Sequence, residues 1–562
     1  MKNLSARILL IIFISLIWKE ESFAQNSSKP NILLVIVDDG RYQDYAATGG
    51  PSWFLTPTIN RIADEGANFK NDYVVLSLCE PSRVSIFTGK YPHNNGFIFN
   101  TQTYDTATLT IARILRENGY YTGLVGKFIN SFNAFPSSDF NYYCAYNGQG
   151  NYSPKIFDLN GTDTLLNENV SVAINDFAIH FLESVPPDKP FFLIFTPKAP
   201  HPAYVAYPGY VNAYHSETVP FPSNFNGYTK NYPNYIYLDN LYQSDSATCV
   251  DDIQTYYEDL IAVEVGLDSV FTILENQNLL DSTLIIFTSD NGVFIGDHHM
   301  ERKRLAYEES MHVPLFVRYP AWFAPNTVVS DEITLNVDLF ITLLDAASVI
   351  DTFNDDGISM RDLATGQQHR KEFLFEYFND SLQPGIPDFR AVRSLEYKYI
   401  RSSCDQTTEE FYDLINDPKE DTNQIFNPVY ASLIETYRHK LDSLRMILSD
   451  DPANDTVIAC SLLNVDTTYL SSPVADENIS FTVSPDPVNE ILSVNLPASF
   501  SGSVKIAITD MEGQVLEEKR IHFSFGQKNK AVQLPVNQLA AGIYAVKVEN
   551  GMIAQSKLIV KE

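Results

Sequence analysis

The sequence predicts an α/β fold with a mainly parallel central sheet, a smaller α+β subdomain and a terminal all-β sandwich. Four short apolar runs, at 31–37, 121–126, 191–195 and 283–289, each end abruptly in polar residues. Uninterrupted apolar runs are typical of strands buried on both faces of a parallel sheet. Helical patterns lie between the runs, for example at 108–118 and 253–276, and this alternation indicates an α/β sandwich.

The N-terminus has the pattern of a secretory signal peptide. Lys2 and Arg7 precede an apolar run at 8–18, and small residues around Ala24 supply a cleavage point before Gln25. We therefore predict a signal peptide at 1–24 and a main α/β domain at 25–350, with an uncleaved anchor as the alternative. No later stretch approaches the ~20 apolar residues of a transmembrane helix, so we do not expect an integral membrane protein.

The pattern changes after about residue 350. Shorter strand and helix signals at 389–400 and 430–448 indicate an α+β subdomain at 351–450, and a polar stretch with prolines indicates a linker at 451–478. Strands of period two follow, such as the one through Val504, Ile506 and Ile508, with a turn at 511–513. These features predict a β-sandwich at 479–562.

The 562 residues carry a formal net charge of −31. Nucleic acids and anionic membranes would be repelled by such a chain, so neither is an expected partner. An anionic substrate would also be repelled at long range, and local cations would have to overcome that field.

Polar residues follow the four predicted strands. They are Asp38-Asp39 after the first, Lys127 after the second, His201 shortly after the third and Asp290-Asn291 after the fourth. Because ligands in such folds bind beyond the carboxyl ends of the strands, we expect these side chains to converge. Carboxylate and amide oxygens suit Ca²⁺ or Mg²⁺. The alternative is that each acidic pair only caps a following helix.

The run Cys79-Glu80-Pro81-Ser82-Arg83 is the most informative motif. Pro81 suits the first turn of a helix that Gly89 ends, which places Cys79 among the unpaired N–H groups at the helix's positive end, where an anion binds well. The alternative is a buried cysteine before a capped helix.

These five residues resemble the Cys-x-Pro-Ser-Arg signature of type I sulfatases. Further agreement comes from 256–292, 307–314, 390–394 and 410–418, so the resemblance spans roughly residues 30 to 448. It implies an alkaline-phosphatase-like sandwich. It also implies that Cys79 is oxidised to formylglycine, by a formylglycine-generating enzyme or an anaerobic maturase, and that the hydrated aldehyde attacks sulfur and later releases sulfate by collapsing back.

The resemblance also assigns the surrounding residues. One divalent ion, usually Ca²⁺, would be held by formylglycine 79 with the two strand-end pairs, namely Asp38, Asp39, Asp290 and Asn291. Arg83 would brace the nucleophile and metal, while Lys127 and Lys303 would hold the sulfate. His201, in Lys-Ala-Pro-His-Pro, would be the general acid, sharing that task with Lys303. The alternatives are a helix-surface ion pair for Arg83, solvated lysines and a loop histidine.

Three weaker substrate candidates remain. His93 follows the nucleophile helix, and His298 lies in Gly-Asp-His-His; for each, a structural role is an equal alternative. Many sulfatases follow the Gly-Lys with Trp-His, but here Gly126-Lys127 leads to Phe-Ile-Asn130, which resembles the glucosamine-6-sulfatase branch. Asn130 would replace the missing histidine's hydrogen bond to the sulfate.

The terminal sandwich resembles the C-terminal sorting domain of type IX secretion, on the runs at 484–489 and 541–547 and the basic last strand. This implies that the type IX secretion machinery is a partner and that the protein is secreted or on the cell surface, with the periplasm in transit. A carbohydrate-binding or spacer module is the alternative.

With Cys79 modified, four cysteines remain, which allow two disulfides in three connectivities. We expect Cys144 with Cys249 and Cys404 with Cys460, from their proximity in sequence.

We therefore expect a secreted, calcium-dependent sulfatase that acts on a sulfated carbohydrate, for example an extracellular polysaccharide of algal origin. The alternatives are an N-acetylglucosamine-6-sulfate type glycosaminoglycan sulfatase, a phosphoester or phosphonate hydrolase on the same scaffold, and a non-catalytic protein that binds sulfated glycans.

Overall fold

The computed structural model describes residues 29–129, 137–146, 148, 151–225, 232–233, 235, 245–383, 385–404, 408–458, 482–484, 488–496, 502–509, 515–523, 530–549 and 554–561. The chain divides into two compact units, Met1–Cys460 and Ser461–Glu562. The predicted signal peptide at 1–24 lies outside the described residues.

The first unit contains a central sheet of eleven described strands and a small hairpin. In chain order the strands are β1 Asn31–Val37, β2 Ala67–Tyr73, β3 Tyr121–Gly126, β4 Tyr142–Tyr146, β5 Lys155–Leu159, β6 Thr162–Leu166, β7 Phe191–Thr196, β8 Thr283–Ser289, β9 Phe294–Ile295, β10 Glu301–Arg302, β11 His312–Arg318, β12 Thr327–Val329 and β13 Thr334–Leu335. The sheet order is β12-β2-β11-β8-β1-β7-β3-β4-β5-β6, with β13 beside β2, and β9 pairs with β10 in the hairpin.

The four predicted strands are confirmed as β1, β3, β7 and β8. They are neighbours in the order β8-β1-β7-β3 and all three pairings are parallel. Along β1, Leu33 and Val35 face one hydrophobic core while Ile32 and Leu34 face another. Burial on both faces explains why these runs are apolar at every position.

The described part of the first unit contains ten α-helices. They are α1 Pro57–Asp64, α2 Cys79–Thr88, α3 Pro92–Asn95, α4 Ile111–Glu117, α5 Val170–Ser184, α6 Ser246–Asn276, α7 Glu308–Met311, α8 Asp338–Ala346, α9 Met360–Thr365 and α10 Ala431–Leu448. Helix α6 begins seven residues before the predicted start because Asp245 caps it by accepting a hydrogen bond from Thr248 N. None of the described helices combines the length and the apolar character that crossing a membrane requires.

An antiparallel sheet completes the first unit. Its strands are β14 Glu372–Tyr377, β15 Phe389–Ser394, β16 Tyr397–Ser402 and β17 Thr408–Asp413. The described start of the expected linker packs here, since Ile458 N donates to Ser403 O at 3.3 Å and Asp455 pairs with Arg445 at 2.7 Å. The rest of that linker lies outside the described residues.

The second unit consists of two antiparallel sheets, β18-β19-β22 and β21-β20-β23-β24. The strands are β18 Thr482–Ser484, β19 Ile491–Leu496, β20 Gly502–Thr509, β21 Val515–Phe523, β22 Lys530–Pro535, β23 Gly542–Glu549 and β24 Ala554–Lys561. The period-two residues Val504, Ile506 and Ile508 are fully buried in its core, as predicted. The predicted turn at 511–513 lies outside the described residues.

One predicted disulfide is wrong. Cys144 and Cys249 are both buried thiols rather than disulfide partners; Cys144 lies on β4, and the Cys249 thiol on α6 is directed to Ile295 O at 3.4 Å. Proximity in sequence was therefore not a sufficient basis for pairing these two cysteines. Cys460 lies outside the described residues, so its pairing with Cys404 stays a prediction.

Candidate active site

The two acidic pairs meet because β1 and β8 are parallel neighbours. Their ends, Val37 and Ser289, are in register, so the residues that follow lie side by side. Asp39 N donates to Asp290 Oδ1 at 3.1 Å, and Asn291 Nδ2 donates to Asp39 Oδ1 at 2.6 Å. Asp39 has a φ of 68°, a left-handed conformation that costs free energy for a residue other than glycine and is typical of functional positions.

Cys79 begins helix α2, which ends before Gly89 at a φ of 69°. The thiol is 1% exposed and lies 2.9 Å from Lys303 Nζ and 4.0 Å from Asp39 Oδ1. Burial raises the pKa of the Cys79 thiol to about 12, since a buried thiolate loses its hydration. The unmodified side chain is therefore a neutral thiol at pH 7.

Arg83 lies one turn further along α2 and is fully buried. Its Nε donates to Asp290 Oδ2 at 2.8 Å and its Nη1 donates to Lys127 O at 2.6 Å. These two bonds join the end of β8 to the end of β3, so Arg83 fixes the strand ends around position 79.

Lys127 lies beneath Asp38. Its Nζ donates to both carboxylate oxygens, at 2.9 and 2.8 Å, and neither side chain is exposed. Burial opposes both charges, but the attraction outweighs it, raising the pKa of Lys127 and holding the pKa of Asp38 well below its usual range. Both groups are therefore charged at neutral pH.

Lys303 approaches the thiol from the segment after the β9–β10 hairpin. Its flanking residues, Arg302 and Arg304, have φ angles of 71° and 93°. Its ammonium contacts both Asp39 Oδ1 and Cys79 Sγ. Burial again opposes the charge, but Asp39 outweighs it and raises the pKa of Lys303 far above its ordinary value.

His201 lies in the loop after β7, with Nε2 3.7 Å from Asp39 Oδ2. Its Nδ1 is 2.6 Å from Pro202 O, and a ring that donates from Nδ1 leaves Nε2 with a free lone pair when it is neutral. Burial lowers the pKa of His201 to about 4, so the ring is neutral at pH 7 in this environment.

A buried group of three residues supports the His201 loop. Tyr152 Oη lies 3.0 Å from His201 O and also hydrogen-bonds Asp259, while Lys198 Nζ lies 4.4 Å from the centre of the Tyr152 ring. Lys198 was visible beside the histidine in sequence, but no signal linked Tyr152 to Asp259, since they are brought together only by the packing of α6.

The residues present fit a hard divalent cation. Single ligand atoms from Asp38, Asp39, Cys79 and His201 all lie within 4.8 Å of one another. Asn291 Oδ1 is buried and has no hydrogen-bond partner in the described part of the chain, as expected of an oxygen reserved for an ion. Carboxylate and amide oxygens are the ligands that Ca²⁺ and Mg²⁺ prefer.

Two of the three weaker candidates, His93 and His298, are not brought to this cluster. His93 pairs through Nδ1 with Glu376 and lies 2.8 Å from Leu448 O through Nε2. His298 is buried between Tyr232 and Glu309; it does not line the cavity itself, but its ring packs edge-on against the cavity residue Phe294. Asn130 lies outside the described residues.

A cavity of about 870 Å³ opens above the cluster. Cys79, Lys303 and His201 are in its wall, and the sequence had not singled out Asn100, Arg304 or Gln383, which also line it. Tyr204 also lines the cavity. A buried cysteine with adjacent cations, at a cavity beyond the ends of parallel strands, is an arrangement suited to binding an anionic group.

The chain belongs to the sulfatase family: residues 30–349 match the family described as Sulfatase. It is a sulfuric ester hydrolase with the alkaline-phosphatase-like fold. Residues 296–446 match the C-terminal region of N-sulphoglucosamine sulphohydrolase, and 482–562 match the secretion system C-terminal sorting domain.

Several characterised relatives are similar over most of the first unit. An N-acetylglucosamine-6-O-sulfatase of Bacteroides thetaiotaomicron is 26% identical, covering 72% of this chain and 84% of the relative. An ulvan-active sulfatase of Formosa agariphila is 24% identical, covering 75% and 82%. A solved structure in complex with its substrate D-glucosamine-2-N,6-O-disulfate has a TM-score of 0.70 at 25% identity, covering 76% of this chain and 99% of that chain.

Proposed function

We propose that this enzyme hydrolyses sulfate esters of a sulfated carbohydrate through a formylglycine made from Cys79. The observation that carries the proposal is the placement of Cys79, at the start of α2 and at the base of the cavity, in contact with Lys303 and beside Asp39. A maturase that oxidises Cys79 before the site closes is the partner that this mechanism needs.

The burial of Cys79 supports a modified nucleophile. A thiol with a pKa of about 12 has almost no thiolate at neutral pH, and thiolate is the reactive form of cysteine. The hydrate of formylglycine supplies an oxygen nucleophile for sulfur and a route that releases sulfate without attack by water.

Cations around the cavity base counter the negative charge of the sulfate. Lys303 is charged and lines the cavity, while Lys127 neutralises Asp38 from below. The departing alcohol oxygen needs a proton. Lys303 carries one at pH 7, and an arriving anion favours the protonated form of His201, so we assign proton donation to both.

We propose that one Ca²⁺ is held by Asp38, Asp39, Asp290, Asn291 and the residue at position 79. The ion would add positive charge next to the sulfate oxygens.

For the substrate, we propose a glycan that contains 6-sulfated N-acetylglucosamine or a related hexosamine. The support is the relative that is an N-acetylglucosamine-6-O-sulfatase and the resemblance at 126–130. An algal polysaccharide is the second candidate, supported by the ulvan-active relative. The match at 482–562 supports export by the type IX secretion machinery to the cell surface or beyond, after a signal peptide directs the chain to the periplasm.

The modification is tested by mass spectrometry of the peptide that contains position 79, from protein made in its native host. We expect the mass of formylglycine, and Cys79→Ser should lower kcat for sulfate release by about 1,000-fold or more with substrate binding retained. Ser503→Ala, on the second unit, is the control. Thiol at position 79 in fully active protein would overturn the mechanism.

A panel of defined sulfated and phosphorylated sugars tests the substrate. We expect sulfate release from N-acetylglucosamine 6-sulfate, whereas faster release of phosphate from the matching phosphate ester would indicate a phosphoester hydrolase. Binding of the panel with no turnover by the formylglycine-bearing enzyme would indicate a binding protein.

A further inference from the structure

One side chain in the cavity wall has an unmet hydrogen bond. Gln383 is 6% exposed and lines the cavity. Its Oε1 is buried and has no hydrogen-bond partner among the residues that the structure describes. A buried carbonyl oxygen without a donor costs free energy, and that cost is recovered when a ligand in the cavity supplies a donor.

Gln383 is held by a network that also contains the neighbour of Lys303. It lies in the connection between β14 and β15, and its backbone N donates to Asp380 Oδ1 at 2.9 Å. The other oxygen of Asp380 accepts from Arg304 Nε at 3.3 Å and from Tyr377 Oη at 3.2 Å. A single carboxylate therefore fixes Gln383 relative to the segment that carries Lys303.

This network places Gln383 near the part of the substrate that is attached to the sulfate. Lys303 contacts the nucleophile position, and Arg304 follows it directly and also lines the cavity. Leu382, which is 55% exposed, offers an apolar surface beside Gln383. Ligand pockets combine apolar lining with a few polar groups that fix the orientation of the ligand, and Leu382 and Gln383 offer one of each.

We propose that Gln383 determines specificity by accepting, through Oε1, a hydrogen bond from an O–H or N–H group on the sulfated sugar ring. The group carries a proton that it can donate, since a deprotonated anionic substituent would offer none to this oxygen. The inference rests on the proposed function and adds a contact that neither position 79 nor Lys303 supplies. Asp380 is the positioning residue for this contact.

The test compares wild type with Gln383→Leu and Gln383→Glu on N-acetylglucosamine 6-sulfate and its 2-, 3- and 4-deoxy analogues. Leucine removes the acceptor and should lower kcat/KM by about tenfold, whereas glutamate keeps an acceptor and should lose much less. The loss should vanish on the one analogue that lacks the donor. Gln367→Leu, at an exposed position, is the matched control, and thermal unfolding confirms that each variant is folded.

The same panel is titrated calorimetrically against Cys79→Ser enzyme with Gln383 intact or replaced by leucine. Leucine at position 383 should raise the Kd of each analogue that keeps the donor, and should leave the Kd of the analogue that lacks the donor unchanged. If wild type binds the panel in this way but releases no sulfate, the proposed function fails while the role of Gln383 stands. An equal loss on every analogue, no loss on any, no binding of any member, or a loss with glutamate as large as with leucine would overturn the role of Gln383.

Discussion

At the scale of single residues, the site is a set of buried charges that neutralise one another. Asp38 pairs with Lys127, Asp290 with Arg83, and Asp39 with Lys303. Buried ions are tolerated only when they are paired and hydrogen-bonded. The pairing also leaves Asn291 Oδ1 as a neutral oxygen without a partner in the described chain, which is the atom whose loss should affect a bound cation most selectively.

Asn291→Leu should weaken Ca²⁺ binding, because it removes one ligand oxygen and no charge. Ca²⁺ stabilises the folded state in proportion to its affinity, so we expect it to raise the thermal unfolding midpoint of wild type by a few degrees, on the order expected from binding linkage, and that of the variant by less. Differential scanning fluorimetry with and without chelator measures this. Asn276→Leu, at the exposed end of α6, is the control; equal Ca²⁺ shifts in both variants would contradict the assignment.

At the scale of elements, loops after different strands are fixed by side chains from distant helices. Tyr152 hydrogen-bonds Asp259 on α6 and the carbonyl of His201 after β7. Burial raises the pKa of Asp259 to about 8, which favours a protonated carboxyl and a neutral contact. The position of the His201 loop therefore depends on Tyr152, whose hydrogen bonds among the described residues go to His201 O and Asp259 and not to Cys79.

Tyr152→Phe should release the His201 loop while it keeps the ring that packs against Lys198. We expect kcat to fall by about tenfold with a smaller change in KM, since loss of the hydrogen bond to His201 O, together with the one to Asp259, disturbs the orientation of His201 more than the binding of sulfate. Steady-state kinetics measure the changes in kcat and KM separately. Tyr121→Phe, whose ring stacks on Phe181 at 5.7 Å, is the control. A change in KM alone would argue against a positioning role.

His93 joins three elements rather than serving the cavity. Burial lowers the pKa of His93, but the ion pair with Glu376 on β14 and the bond to Leu448 O at the end of α10 outweigh it and raise the pKa. A histidine whose pKa is raised by folding stabilises the folded state fully below its unfolded pKa of about 6.5, and this stabilisation is lost as pH rises through the folded value.

The difference in thermal stability between wild type and His93→Gln should therefore be largest at about pH 6 and should shrink towards about pH 9. Thermal unfolding midpoints across this range measure it. His439→Gln, on the exposed face of α10, should show little difference at any pH. A difference for His93→Gln that does not vary with pH would contradict the ion pair as its cause.

At the scale of the whole molecule, the chain is organised as two units with separate cores. The nucleophile position and the residues that line the cavity all belong to Met1–Cys460, while the second unit buries its own apolar side chains between two sheets. Each unit therefore contains what it needs to fold.

Removal of residues 461–562 should leave the sulfatase activity of the purified enzyme unchanged within about twofold, since the first unit has its own core. Sulfate release and the unfolding midpoint of the truncated and full chains measure this. We expect export from the native host to be lost, because the sorting domain is removed. A truncated chain that fails to fold, or that loses activity in solution, would show that the units depend on each other.

The sequence allowed the fold class and the centre of the site to be predicted. The strands β1, β3, β7 and β8 could be predicted because burial on both faces requires apolar residues throughout. The position of the site could be predicted because the carboxyl ends of parallel strands meet at one edge of the sheet. Local rules also placed Cys79 at the start of α2, two residues before Pro81 and in a helix that Gly89 ends. The placement of His93 and the absence of a disulfide between Cys144 and Cys249 could not be predicted from the sequence, since both depend on which distant elements pack together.

By itself, the sequence determined which chemical groups are available: a cysteine in a modification motif, carboxylates at strand ends and a few cations. Only the tertiary structure decided their partners, for example Asp38 with Lys127 and Tyr152 with Asp259, and left Gln383 Oε1 without a donor among the described residues. The physical reason is that propensity and periodicity act over a few neighbouring residues. The hydrogen-bond partners of a buried polar atom, in contrast, often come from residues hundreds of positions away in the chain.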